Sequence, residues 1–182
     1  MPLEDEDNLD LISEADEFLQ DDITELEELL KNSKVEKTDR AYLAAAIKAK
    51  NLADLYFEGL EGTSTRFFQY KRIAAENYLI VSKRANFAQA KLMAIMMYIQ
   101  AQENKKATSL IDEIVKEKEK GGKKNKKSKD VDNIVLDICI DILHDNGKKA
   151  LERINKGIYE IDADIKDEII KTLKYTLGND ST

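Results

Sequence analysis

The chain has 182 residues, 42% hydrophobic and 36% charged, with a formal net charge of −7, one cysteine and one histidine. That length fits one domain, or one domain with an appendage, and a lone Cys139 and a lone His144 exclude disulfide frameworks and Cys/His zinc sites within one chain. The longest apolar run, Leu92 to Ile99, is far short of the roughly 20 residues that cross a membrane.

The acidic start "MPLEDEDNLD" is the opposite of a basic signal-peptide start. A cytoplasmic protein in a reducing compartment is expected. No proline follows Pro2, and Ala, Leu, Ile, Lys and Glu outnumber Val, so helices are favoured over strands. The charge is unevenly spread. Residues 1–30 hold thirteen Asp and Glu and no Lys or Arg, whereas residues 116–129, "KEKEKGGKKNKKSK", hold eight Lys and two Glu.

In chain order, residues 1–8 read as disordered. Leu9, Ile12, Leu19, Ile23, Leu26 and Leu30 recur in threes and fours and predict helix over 9–31. Asp16 interrupts that stripe, and Asp21–Asp22 with Glu25 resembles a fresh helix start, so one bent helix or two short ones satisfy the pattern. "KNSKVEKTD" reads as a linker. Thr38 or Asp39 caps a helix "RAYLAAAIKAKNLADLYFE", which Gly59 and Gly62 stop. Ser64 or Thr65 caps "RFFQYKRIAAENYLIVSKRA", and Asn86 caps "FAQAKLMAIMMYIQAQE". After a break at Asn104 comes "KKATSLIDEIVKEKEK". "GGKKNKKSK" has two glycines and like charges, hence a mobile loop over 119–130. Asp130 or Asp132 opens "VDNIVLDICIDILHD", Asn146–Gly147 turns the chain, and "KKALERINKGIYEI" follows. Asp162 or Asp164 starts a last helix that Gly178 ends.

About eight helices joined by short turns make a series of antiparallel hairpins. A helix with neighbours on both sides is apolar nearly all round, which accounts for "LMAIMMYI". Two hairpins repeat a pattern: an apolar helix, a polar turn, then Lys105–Lys106–Ala107 in one and Lys148–Lys149–Ala150 in the other. In these positions the chain resembles the tetratricopeptide repeat family. Tyr98 falls on the aromatic of that family's first helix, Ala107 and Ala150 on the small residue of its second, and Ile111 and Ile154 on the large apolar residue beyond. Ile114 and Gly157 fall on its next inward position, and Asp162 stands where proline usually ends a repeat. "ADLYFEGLEG" and "IAAENYLIVSKRANFAQAKLMAIMMY" are similar to the longer-looped SEL-like relatives. The resemblance spans roughly 45–178, with Ile95 or Ile138 where a small residue is usual and no terminating proline.

The expected fold is therefore all-α: a right-handed stack of antiparallel helical hairpins, a tetratricopeptide-like solenoid of about eight helices. Its parts are an acidic N-terminal segment, 1–36, and a helical domain, 37–178, carrying the lysine-rich loop. The N-terminal segment has three readings: a cap on the stack, a self-associating coiled coil, or a detachable helix that a partner binds.

No catalytic residue, cofactor site or metal site is expected. His144 fits a cation at a helix C-terminus, and Cys139, without a basic neighbour in "IVLDICIDI", fits inert packing. Met93, Met96 and Met97 read as core. The expected function is binding of another protein, as an adaptor, scaffold or chaperone-like module that holds a peptide or helix on a concave face. Its candidate contacts are Tyr42, Asn51, Tyr70, Asn77 and Lys91. The alternative is a nucleic-acid-associated protein using Lys123, Lys124, Lys126, Lys127 and Lys129, which would attract phosphates without reading sequence. No aromatic and no arginine accompanies those lysines.

Overall fold

The computed structural model describes residues 6–85, 88–120, 130–144, 147–157 and 163–177. Among these residues there are nine α-helices and no strand: α1 Glu6–Phe18, α2 Gln20–Glu36, α3 Asp39–Leu60, α4 Thr65–Ala85, α5 Ala88–Gln100, α6 Asn104–Lys120, α7 Asp130–Leu143, α8 Gly147–Gly157 and α9 Ala163–Leu177. No helix among the described residues is long and apolar enough to cross a membrane.

The N-terminal stripe makes two helices rather than one. Leu19, at φ −96° and ψ 14°, marks the bend, yet the hydrogen bonds run on through it: Leu19 N–H donates to Ala15 O and Ile23 N–H to Leu19 O, both at 2.9 Å. The expected linker is mostly helix. A polar run without Gly or Pro does not break a helix, so α2 continues to Glu36 and only Lys37, in the left-handed region at φ 52°, turns the chain.

Caps then set the boundaries. Thr38 Oγ1 accepts from Ala41 N–H at 3.2 Å, and Ser64 Oγ accepts from Phe67 N–H at 3.2 Å. The α3 terminus differs from expectation: the helix passes through Gly59, Glu61 takes the left-handed position at φ 55°, and Gly62 N–H returns to Phe57 O at 3.0 Å. Asn104 does open α6, after a turn in which Gln102 has φ 61°. The caps expected at Asn86 and Asp162, the end at Gly178 and residues 121–129 of the loop expected over 119–130 lie outside the described residues, while Glu119 and Lys120 belong to α6 and Asp130 to α7.

The apolar run sits where four helices meet. Helix α5 packs against α4, α6, α7 and α9. Ile95, Met96 and Met97 are fully buried, with Leu92, Tyr98 and Ile99 nearly so. One contiguous core takes in Leu19 and Leu26 from the acidic segment as well as Ile165, Ile169 and Leu173 from α9. The acidic segment is thus packed into the main body, against α3.

Neighbours in sequence are neighbours in space from α2 to α6, and α7 pairs with α8. Helix α9 departs from that serial order. Its main neighbours are α5 and α7, not α8. The reason lies in its register. Ile165, Glu168, Ile169, Thr172 and Leu173, spaced at three and four, are all buried, and the polar members of that stripe find partners on α3 and α5.

Candidate functional site

Besides its packing on α7, α9 has a polar and aromatic seat built by three helices. On α3, Lys50, Asp54 and Phe57 follow one another at four and three residues, so they share a face. On α4, Phe67, Lys71 and Tyr78, spaced at four and seven, also share a face, and Gln100 closes α5. The polar and charged side chains among these would be costly to bury alone.

Asp54 is the hub. Its Oδ1 accepts from Lys71 Nζ at 2.7 Å and from Tyr175 OH at 2.8 Å, while Oδ2 accepts from Lys171 Nζ at 3.0 Å. A second node is Glu168, 3% exposed, whose Oε1 accepts from Lys50 Nζ at 2.9 Å. Gln100 Nε2 donates to Thr172 Oγ1 at 2.8 Å and reaches Glu168 Oε2 at 3.4 Å; Thr172 in turn donates to Glu168 O at 2.7 Å. Gln100 Oε1 is buried without a partner among the described residues.

Aromatic rings wall the site. Tyr175 lies 4.6 Å from Phe57 and 4.9 Å from Phe67, centroid to centroid. Lys71 Nζ stands 5.2 Å from the Tyr175 centroid and 5.4 Å from that of Phe67, within cation–π range.

The electrostatics follow from this geometry. Burial works to raise the Asp54 carboxyl, but Lys71, Tyr175 and Lys171 together outweigh it and hold it below the usual carboxylate range. Burial pulls the Lys71 ammonium below the ordinary lysine range, against the pull of Asp54. Burial and the bond to Asp54 push the Tyr175 phenol upward.

A second polar cluster ties the acidic segment down. Tyr56 OH donates to Asp16 Oδ1, and Arg66 grips the same carboxylate through Nε at 3.2 Å and Nη2 at 3.1 Å. The residue that interrupts the sequence stripe is the one that anchors α1. Lys48 holds α2 through Asp22 at 2.7 Å and Glu25 at 2.8 Å.

The chain matches no protein-family model, no curated protein and no solved structure.

The five sequence-derived contact residues sit in different surroundings. Tyr42 is half-buried beneath the Arg84 guanidinium, 5.8 Å from its ring centroid, and Asn51 is exposed. Tyr70 is buried and stacks on Tyr56 at 5.6 Å. Asn77 is buried and donates to Ile73 O at 2.9 Å. Lys91 pairs with Glu113 at 3.5 Å and Glu117 at 3.6 Å. Tyr70 and Asn77 therefore present little surface to a partner, because their polar atoms and faces are already used inside the fold. No hydrogen bond, ion pair or ring contact among the described residues joins any two of the five.

Lys123, Lys124, Lys126, Lys127 and Lys129 lie outside the described residues. His144 is exposed, and the nearby Asp141 belongs to Arg153, which donates to it at 2.6 Å. Cys139 is buried among apolar side chains, which pushes its thiol up to about 12.

The residues missed from sequence are Asp54, Lys71, Gln100, Glu168, Lys171 and Tyr175. One signal for them existed: Lys71 stands in an apolar stripe, four residues after Phe67 and seven before Tyr78, and Asp54 stands beside Leu52 and Ala53. A lysine and an aspartate on the inward faces of consecutive helices need each other.

Burial raises the phenols of Tyr56, Tyr70, Tyr78, Tyr98 and Tyr175. A raised folded value means that stability is fully present below the unfolded tyrosine value of about 10 and is lost as pH rises through the folded value. An absorbance titration at alkaline pH should show these five tyrosines ionising late, together with loss of helix. Ionisation of all seven tyrosines near pH 10 with the helices intact would contradict their burial.

Proposed function

We propose that this chain is a protein–protein interaction module, an adaptor, scaffold or chaperone-like stack of helical hairpins, that receives a helix on the face formed by α3, α4 and α5. One observation carries the reading: a short amphipathic helix, α9, already lies on that face. It is met there by buried polar groups as well as apolar ones. Helix-in-groove recognition uses anchors at i, i+3, i+4 and i+7, and Glu168, Lys171, Thr172 and Tyr175 have that spacing. An ionic seat adds less adhesion than an apolar one of equal size but selects its register. The tetratricopeptide resemblance points the same way, toward an extended face open to a peptide. A cytoplasmic partner and a non-catalytic role fit this reading, in which Lys71, 0% exposed, serves to hold a helix.

A labelled peptide of residues 163–177 added to the full chain tests it. The resident α9 competes, so the unaltered chain binds the peptide weakly. Tyr175→Ala in the full chain removes one bond to Asp54 and two ring contacts, frees the seat more often, and tightens peptide binding about tenfold or more by raising the competent fraction. A peptide carrying Glu168→Ala and Tyr175→Ala binds neither form. Absence of binding to the folded Tyr175→Ala chain would mean that the face is simply core.

A further inference from the structure

We infer that the outward ridge of α1 docks into a cleft between α4, α5 and α6 of a second copy of this chain. The cleft has a volume of about 310 Å³; Leu79, Tyr98 and Leu110 form its floor, and Lys105, Lys106 and Ser109 its rim. Both lysines are exposed, and neither has an ion-pair partner among the described residues. Lys106 Nζ sits 5.6 Å from the Tyr98 ring centroid. An apolar floor under unpaired cations fits an apolar side chain flanked by carboxylates.

Helix α1 offers that combination. Leu11, Glu14 and Phe18, at i, i+3 and i+7, lie along one side of it. Phe18 is 89% exposed and Leu11 50%. Asp10, Glu14 and Glu17 are exposed and without ion-pair partners among the described residues. The acids Asp16, Asp22 and Glu25 differ, being held by Arg66 and Lys48. A ring standing almost wholly in water beside unpaired carboxylates marks a contact surface better than scattered apolar residues do. Phe18 fills the cleft, and Glu14 and Glu17 meet Lys105 and Lys106.

Ridge and cleft are different patches of one chain, so the contact is heterologous. It can propagate or close into a ring, unlike a two-fold dimer. The net charge of −7 opposes association at long range. At 0.1 M salt that repulsion is screened beyond about 10 Å, while ion pairs in contact persist. This inference is independent of the helix-receiving role.

Sedimentation equilibrium of the full chain in 0.1 M salt, from micromolar to millimolar concentration, is the test. The average mass should rise above the 20.7 kDa of one chain. Phe18→Glu removes the ridge, and Lys105→Glu with Lys106→Glu removes the cleft charges. Each should weaken association about tenfold or more, as loss of a central aromatic or of paired charges does. These side chains are exposed, so the helices survive the changes, and Lys105→Glu alone serves where Lys106 is wanted on Tyr98. Mixing the two variants restores one intact ridge and one intact cleft, so the mass rises to two chains and stops. A wild-type mass fixed at one chain overturns the inference, even if a separate acidic peptide fills the cleft. So does association indifferent to both variants, or a mixture that stays monomeric.

Discussion

With Asp54 replaced by alanine, the full chain should melt about 10 °C or more below the unaltered protein. Asp54 is 8% exposed and accepts three hydrogen bonds, from Lys71, Lys171 and Tyr175. Its removal leaves the Lys71 ammonium, at 0% exposure, without its counter-ion. Removing one partner of a buried pair costs about 3–5 kcal/mol, mostly through the charge left behind. In a chain of this size each kcal/mol shifts the melting temperature by about 2–4 °C. Calorimetry, or helix content followed on heating, measures the change.

The same reasoning predicts an asymmetry. Replacing both partners, Asp54→Leu with Lys71→Met, removes the orphaned charge, and most of the loss should be recovered, since apolar substitutes for buried pairs are often neutral. The pH dependence has a definite sign. The Asp54 carboxyl sits below its ordinary value in the fold. Its contribution is therefore present above the unfolded value of about 3.9 and is lost as pH falls through the folded value. The gap between wild type and Asp54→Ala should accordingly narrow on acidification. A gap that stayed constant, or a double variant no better than the single one, would show that Asp54 acts by packing alone.

How far the fold can be read in the residues depends on range. The helices are local facts: stripes at three and four, the hydroxyls of Thr38 and Ser64, and a run at Leu92–Ile99 too apolar to have a wet face. Those features predict an all-α chain with α5 at its centre, and α5 is buried by four neighbours. The bend at Leu19 is ambiguous in sequence because its hydrogen bonds are unbroken. The place of α9 is a non-local fact. Nothing within residues 163–177 says that they pack on α5 rather than on α8. That choice is made by Gln100, Lys50, Asp54 and Lys71, up to 121 residues away in the Tyr175 bond. The site was illegible for a related reason. Tyr70 and Asn77 look like contact residues by composition, yet a tyrosine or asparagine in a stack of helices is equally able to satisfy itself inside, as both do.

Phe67→Ala should cost about 3–5 kcal/mol and loosen α9 more than the rest of the chain. Phe67 is fully buried. Its ring meets Phe57 at 5.7 Å, Phe68 at 5.5 Å and Tyr175 at 4.9 Å. Truncation leaves a void that these neighbours fill only in part, and the lost energy grows with that void. It also strips one of two ring faces from Lys71 and one of two ring contacts from Tyr175. The damage therefore reaches the α3–α4 hairpin and the seat of α9 together. Phe67→Leu keeps most of the volume and should cost less than half as much. Native-state hydrogen exchange separates the two effects, because it reports local opening below the global unfolding energy. In Phe67→Ala the amides of α9 should lose more protection than those of α7 and α8. Equal loss everywhere would mean that α9 is held as firmly as any core helix, and a helix so held could not give way to a partner on that face.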